Sequence, residues 1–154
     1  MQLKPTVVMA VLSLLVASLL AGCTDTQETS PSNAGGVAVT VNSVTTSSRI
    51  GSDPIFTSTP HTGNHFITFE VTVTNVNKDD LTIGSYTDFT LTMKDGTVNS
   101  PFWKNLSDDA LSAKAHTHPG DTVTGTITFE IPQNAEATAL SYADGVNGVV
   151  LINL

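Results

Sequence analysis

The stretch HFITFEVTVTNV, residues 65–76, decides the fold of this chain. Threonines and Glu70 occupy one face of this segment when it is extended. Apolar side chains occupy the other face, at Ile67, Phe69, Val71 and Val73. An alternation of period two is typical of a strand with one buried and one solvated face. The sequence therefore predicts a half-buried β-strand here.

The same alternation recurs on both sides of this segment. Residues 89–94 alternate in the same way and are followed by the turn signal Asp95-Gly96. Residues 122–131 form a third long alternating segment, TVTGTITFEI. Shorter candidate strands lie at 37–44, 81–83, 138–142 and 149–154. Glycine, proline, asparagine and aspartate cluster between these segments, which predicts an all-β chain folded as an antiparallel sandwich.

Three segments in a fixed order resemble a known family. They are GNHFITFEVTVTNVN at 63–77, then Asp95-Gly96, then PGDTVTGTITFEIPQNA at 119–135. Together they resemble the small exported prokaryotic lipoprotein domains of unknown function that are related to a mycobacterial immunoprotective extracellular antigen. The resemblance covers roughly residues 37–154 and implies an immunoglobulin-like β-sandwich of about seven to eight strands. It implies no catalytic residues.

Cys23, the only cysteine, follows Leu20-Ala21-Gly22 at the end of an apolar run. This context resembles the lipobox of a prokaryotic lipoprotein signal peptide, in which the cysteine is lipidated and becomes the first residue of the mature protein. Lys4 and the apolar residues 7–20 fit such a leader. The alternatives are an uncleaved membrane anchor, for which the run is short of about 20 residues, and an unpaired thiol.

These features predict three parts of the chain. Residues 1–22 are the predicted signal peptide, 23–36 a lipidated flexible tether that is rich in Ser, Thr, Pro and Gly, and 37–154 the sandwich domain. Cleavage would leave 132 residues, a length typical of one domain. The predicted location is extracytoplasmic, with the N-terminal lipid holding the protein at the cell membrane or the outer membrane.

The charge of the chain argues against nucleic acid as a partner. Six basic and 14 acidic residues give a net charge of −8, and loss of Lys4 with the leader would make it −9. Binding to nucleic acid depends on Lys and Arg that neutralise phosphates. The predicted partners are therefore the membrane, through the lipid anchor, and another protein of the envelope.

The four histidines are the candidate metal ligands. If residues 114–118 are extended, His116 and His118 point to the same face, and neutral imidazole suits zinc or copper. His61 and His65 could complete such a site if the loop before the first long strand folds over the same end. The alternative interpretation is four solvated loop histidines, so no cofactor is predicted. Asp79-Asp80 and Asp108-Asp109 lack EF-hand spacing and are interpreted as solvated charge.

Phe102-Trp103 is the one aromatic doublet of the chain. In an extended segment one of the two rings faces outward, and aromatic side chains are enriched at interaction hot spots. The doublet is therefore a candidate contact surface. The alternative is that Trp103 fills the interior of the sandwich while Phe102 covers a loop.

Three classes of function remain open from the sequence. A non-catalytic binding or interaction module of the cell envelope fits the anchor, the tether and the fold. A zinc- or copper-binding lipoprotein would use the four histidines. An enzyme is not predicted, because the chain has no Gly-x-Ser-x-Gly elbow and no paired carboxylates at a suggestive spacing.

Overall fold

The computed structural model describes residues 32–34, 36–53, 55–104, 107–112, 114–143 and 149–154. Cys23, the predicted signal peptide and most of the predicted tether lie outside these residues. The strands are β1 (Ser32–Ala34), β2 (Val37–Ser47), β3 (Asn64–Asn75), β4 (Leu81–Ile83), β5 (Phe89–Met93), β6 (Val98–Asn99), β7 (Ala115–Thr117), β8 (Thr122–Pro132), β9 (Ala137–Ala143) and β10 (Val149–Asn153). Within the described ranges, no helix is long and apolar enough to cross a membrane.

The strands form two four-stranded sheets and a small ribbon. The first sheet has the order β1-β2-β3-β8 and the second has the order β10-β9-β5-β6, while β4 and β7 pair as a two-stranded ribbon. All strand pairs are antiparallel. The predicted strand at 65–76 is the centre of the first sheet, because β3 pairs with β2 on one side and with β8 on the other.

The core lies between the two four-stranded sheets. Phe69 of β3 packs edge-on against Phe129 of β8, with ring centroids 5.9 Å apart. Phe89 of β5 packs in the same way against Tyr142 of β9, at 5.1 Å. These four rings are almost fully buried and belong to one hydrophobic cluster that contains side chains of both sheets. The predicted antiparallel β-sandwich is confirmed.

The described residues contain ten strands, more than the seven to eight predicted. The strands that no alternation indicated are β1, β6 and β7, each of two or three residues. Such segments are too short to show a period of two. Because β1 pairs with β2 through Ala34 and Val37, the first sheet begins five residues before the predicted domain boundary at 37.

The predicted turn at Asp95-Gly96 forms, and a second turn precedes β8. At the Asp95-Gly96 turn between β5 and β6, Gly96 has φ +85° and its N–H donates to Met93 O. At the Pro119-Gly120-Asp121 turn, the Asp121 N–H donates to His118 O at 3.0 Å and Asp121 Oδ2 accepts the His118 N–H at 2.9 Å. The side chain of Asp121 thus bonds back to the backbone, as is typical of aspartate in a turn.

Gly125 in the middle of β8 allows the chain to pack closely against itself. A Cβ atom at this position would lie 2.8 Å from the backbone N and Cα of Leu111. The segment around Leu111 is held there by two backbone hydrogen bonds, from Leu111 N to Thr126 O and from Thr126 N to Asp109 O. The glycine in this strand is therefore explained by a close backbone approach.

Candidate functional site

A β-bulge in β2 determines which side chains face outward from the first sheet. Before the bulge, Val41 faces the core opposite Val71, and after it Ser43 lies opposite Glu70 on the outer face. The extra residue is Asn42, whose side-chain amide donates to Thr72 Oγ1 at 2.9 Å. A bulge re-aims the side chains that follow it. Odd-numbered positions of β2 therefore face the core in its first half and the outer face in its second half.

The re-aimed side chains form one wall of a cleft, which we call the outer cleft. It has a volume of about 370 Å³. Its other walls come from β3, from β8 and from two loops that fold over the face of the sheet. The described residues that line it are Ser43, Thr45, Ser47, Arg49, Ile50, Gly51, Thr68, Glu70, Ser107, Asp109 and Thr126. Hydroxyl and charged groups thus dominate the surface of the cleft.

The cleft contains two carboxylates and one guanidinium group. Ser43 Oγ donates to Glu70 Oε2 at 3.2 Å, and Thr126 Oγ1 donates to Asp109 Oδ1 at 3.3 Å. Arg49, the only arginine of the chain, lines the same cleft. A carboxylate has about four acceptor positions, so each of these contacts uses only part of its capacity. The cleft can therefore accept hydrogen bonds from a ligand and donate hydrogen bonds to it.

The two loops that close the cleft are tied to each other. Ser52 Oγ donates to Asp108 Oδ2 at 3.0 Å and so joins the loop after β2 to the segment before Leu111. The loop after β2 is also compact, because Ile50 and Ser58 exchange two backbone hydrogen bonds of 3.0 Å. These contacts fix the shape of the cleft at the loop end.

Phe102 and Trp103 point in opposite directions. The Phe102 ring packs on Phe66 with centroids 5.0 Å apart, and its N–H donates to Thr128 O at 2.7 Å. Trp103 is 68% exposed, and Lys104 Nζ lies 4.6 Å from the centroid of its ring. The alternative that places Trp103 in the interior of the sandwich is wrong, because its side chain is largely exposed. The outward ring remains a candidate contact residue.

His116 and His118 lie at the ribbon, near the end of β3. His116 Nδ1 is 3.0 Å from Thr82 Oγ1, and His118 Nδ1 is 2.8 Å from Asp80 Oδ1. The hydrogen bond to Asp80 raises the pKa of His118, and the charges of Asp80 and Asp121 raise it further. Each of these imidazoles thus already has a polar neighbour within its own ribbon.

His61 and His65 lie at the opposite end of β3. Residue 65 pairs with Ile131 at one end of the β3–β8 pair, whereas Asn75 at the other end contacts Thr117 of β7 through its side chain. The ten residues from His65 to Asn75 span about 33 Å in a strand. The structure therefore does not bring the four histidines together, since the length of β3 separates His61 and His65 from His116 and His118. Among the described residues, no three His, Cys, Asp or Glu side chains are grouped to hold a metal ion.

Glu130 is the residue that His61 contacts. Its Oε1 atom accepts hydrogen bonds from His61 N at 2.7 Å and from Asn64 Nδ2 at 2.9 Å, and it lies 2.7 Å from His61 Nδ1. Burial raises the pKa of Glu130, but the hydrogen bonds from Asn64 and His61 outweigh it and hold this pKa below the usual range. Glu130 therefore fastens the loop before β3 to the end of β8.

Sequence reasoning missed the residues of the outer cleft. The segment 43–49 carries only serine, threonine, valine and one arginine, and Asp108-Asp109 was interpreted as solvated charge. In the structure Asp108 holds Ser52 and Asp109 lines the cleft. The one available signal was the single arginine placed after a run of hydroxyl side chains, and no spacing rule connects it to Glu70 or Asp109.

Comparison with solved structures finds several similar folds. The yjhA protein of Bacillus subtilis is 21% identical, with a TM-score of 0.60 over 81% of this chain and 96% of that protein. A protein of Bacillus subtilis named as a candidate lipoprotein, ycdA, is 17% identical, with a TM-score of 0.59 over 80% of this chain and 38% of its own length. The secreted protein MPT63 of Mycobacterium tuberculosis is 17% identical, with a TM-score of 0.49 over 78% of this chain and 86% of that protein.

Comparison of the sequence with protein families identifies the family of this chain. Comparison with curated proteins finds no match. Residues 29–149 match the family described as a domain of unknown function, DUF4352. The resemblance inferred from 63–77 and 119–135 is thereby confirmed, because both segments lie inside the matched range. The chain belongs to the DUF4352 family.

Proposed function

We propose that the protein is a non-catalytic binding module of the cell envelope that is anchored by lipid at Cys23. In this proposal the module contacts another envelope component through the outer cleft. One observation carries the proposal. Three long paired strands and two tied loops hold a cleft of about 370 Å³ open to solvent, with hydroxyl, carboxylate and guanidinium groups on its surface. A rigid scaffold that displays polar groups in a concave site is typical of ligand recognition.

The lipobox-like sequence before Cys23 supports the anchored location. One similar structure also belongs to a protein named as a candidate lipoprotein. The net charge of −8 fits attachment by lipid rather than by contact with anionic headgroups, because the acidic domain would be repelled by them. Two acyl chains anchor a protein stably, whereas one holds it only marginally.

Metabolic labelling tests the anchor. Cells that express the protein are fed an alkyne analogue of palmitate, and the protein is then recovered and coupled to a fluorophore. The wild-type chain is expected to carry the label and to sediment with membranes, and Cys23→Ser is expected to lose both properties. A wild-type chain that is unlabelled and found in the aqueous fraction would exclude the anchor.

Site-specific photo-crosslinking in cells tests the binding role of the cleft. A benzophenone amino acid replaces Thr45, which is exposed in the cleft wall, or Val98, which is 60% exposed on β6 of the opposite sheet. A reproducible adduct is expected from position 45 and not from the control position 98. Equal adducts from both positions, or none from either, would contradict a binding role of the cleft.

A further inference from the structure

The chemistry of the outer cleft indicates the class of its ligand. Resting on the proposed binding function, we infer that the outer cleft binds a neutral saccharide, one or two rings of a glycan. The inference depends on three properties of the cleft: its hydroxyl-rich surface, its charged groups of both signs and its size.

The walls of the cleft present hydrogen-bonding groups of both kinds. A serine or threonine hydroxyl is one donor and two acceptor positions, and the cleft contains six such residues: Ser43, Thr45, Ser47, Thr68, Ser107 and Thr126. A sugar ring carries several hydroxyls that also donate and accept. A sugar can therefore form hydrogen bonds with both the donors and the acceptors of the cleft wall. A ligand with fewer polar groups would leave some of these donors and acceptors unsatisfied.

Charged groups of both signs line the cleft. The carboxylates of Glu70 and Asp109 can accept strong hydrogen bonds from sugar hydroxyls, and the planar guanidinium group of Arg49 can donate them. The two carboxylates and the net charge of −8 disfavour an anionic ligand. A neutral polyol can pair with all three groups at no cost in repulsion.

The dimensions agree with a ligand of one or two rings. A volume of about 370 Å³ lies near the lower end of the range of small-molecule sites, which is roughly 300–1,000 Å³. The cleft is open on its outer side, so that a longer glycan chain can continue into solvent. An envelope glycan with a neutral repeat fits this geometry.

Glycan binding is tested with the full-length lipoprotein, purified from membranes in a detergent without a sugar headgroup. The protein is applied to an array of neutral oligosaccharides that includes chitotriose and maltotriose, with spermidine and inorganic phosphate measured separately by calorimetry. At least one neutral glycan is expected to bind. Glu70→Gln and Asp109→Asn are each expected to weaken its binding about tenfold, the loss of one charge-assisted hydrogen bond.

Glu136→Gln is the matched control, because Glu136 is an exposed carboxylate paired with Lys94 away from the cleft, and its glycan affinity is expected to equal that of the wild type. Thr45→Ala provides a second cleft variant at an exposed position and is expected to weaken binding if Glu70→Gln fails to fold. Absence of binding to every neutral glycan overturns the inference, as do equal affinities of wild type and cleft variants or tighter binding of spermidine or phosphate.

The two proposals fail in different ways. A blank array together with a protein adduct from position 45 would overturn the saccharide ligand and leave the binding module intact. Glycan binding by a chain that carries no lipid at Cys23 would support the saccharide ligand and overturn the anchored location.

Discussion

Glu130 shows how one carboxylate can hold a loop in place. Its Oε1 atom accepts hydrogen bonds from the Asn64 side chain and from the backbone N–H of His61, and its side chain is only 13% exposed. The sequence marks Glu130 only as an outward position of an alternating strand. Its partners lie 66 and 69 residues away, and no local pattern connects positions so distant.

We expect Glu130→Gln to change the pH dependence of stability. A carboxyl whose pKa is lowered by folding stabilises the folded state above the unfolded pKa, near 4.3, and this contribution is lost as the pH falls through the folded pKa. The variant should be less stable than the wild type by about 1 kcal/mol at pH 7, and this difference should shrink as the pH falls through the folded pKa. Urea unfolding at several pH values measures the difference.

A control removes a carboxylate from an exposed ion pair. Glu136→Gln breaks the contact with Lys94, in which both side chains are more than 60% exposed, and should cost less than about 0.5 kcal/mol. If Glu130→Gln behaves like this control at every pH, then Glu130 does not fasten the loop.

We also expect Asp80→Asn to lower the pKa of His118. The hydrogen bond to Asp80 is the main cause of the raised pKa, and the charge of Asp121 remains in the variant. The protonated form of His118 supports the ribbon at pH values below about 6.5, and this support is lost as the pH rises through the folded pKa. Titration of the imidazole resonances by NMR measures the shift, and Asp95→Asn on the distant β5–β6 turn should leave it unchanged.

Phe102 and Trp103 mark the limit of prediction for single residues. The sequence indicated that one ring of the doublet faces outward, because successive side chains of an extended segment alternate. Which of the two rings packs against the protein depends on Phe66, which lies on the outer face of β3 and contacts Phe102. Phe66 breaks the alternation of that strand, and the structure shows that Phe102 covers it.

At the scale of the elements, the long strands were predictable and their registers were not. The alternating segments at 65–76, 89–94 and 122–131 agree with β3, β5 and β8 to within one residue at each end, because a half-buried strand needs a period of two. At the bulge the apolar positions of β2 change from odd (Val41) to even (Val44), and one apolar residue after Asn42 does not distinguish a bulge from the end of a strand. The sequence therefore did not predict which side chains of β2 face the outer cleft after the bulge.

Gly125→Ala tests the close approach between β8 and the segment at Leu111. The added methyl group would lie 2.8 Å from the Leu111 backbone, so either the strand or the segment must move. Overpacking of this kind costs about 1–3 kcal/mol. Thr124→Ala, at an exposed neighbour on the other face of β8, should cost about 0.5 kcal/mol. Equal losses in urea unfolding of the two variants would contradict the assigned contact.

At the scale of the whole molecule, one hydrophobic cluster joins the two sheets. The sequence predicted this architecture because each long strand has one apolar face that must be covered. It did not predict the outer cleft, whose walls come from β2, β3, β8 and two loops. Such a site depends on how distant loops fold over a sheet, and the period of the strands contains no information on that.

Phe129→Ala tests whether the sandwich unfolds as one unit. Phe129 is fully buried in the first sheet, and its truncation should cost about 3–5 kcal/mol. Because the cluster is shared, amide protection should fall together in β3 and in β9 of the opposite sheet, as measured by hydrogen exchange. Val98→Ala at an exposed position should change the free energy of unfolding by less than about 0.5 kcal/mol and leave amide protection in β3 and β9 unchanged. Loss confined to the first sheet would show that the sheets unfold separately.

The short strand β1 has a mechanical consequence. It joins the first sheet through three residue pairs, whereas β3 and β8 are joined through eleven. Any tension applied to the chain before Ser32 enters the sheet through β1 and is opposed there by the smallest set of residue pairs in that sheet. A pull from that side would detach β1 first and add a few residues to the extended chain, while the centre of the sandwich stayed folded.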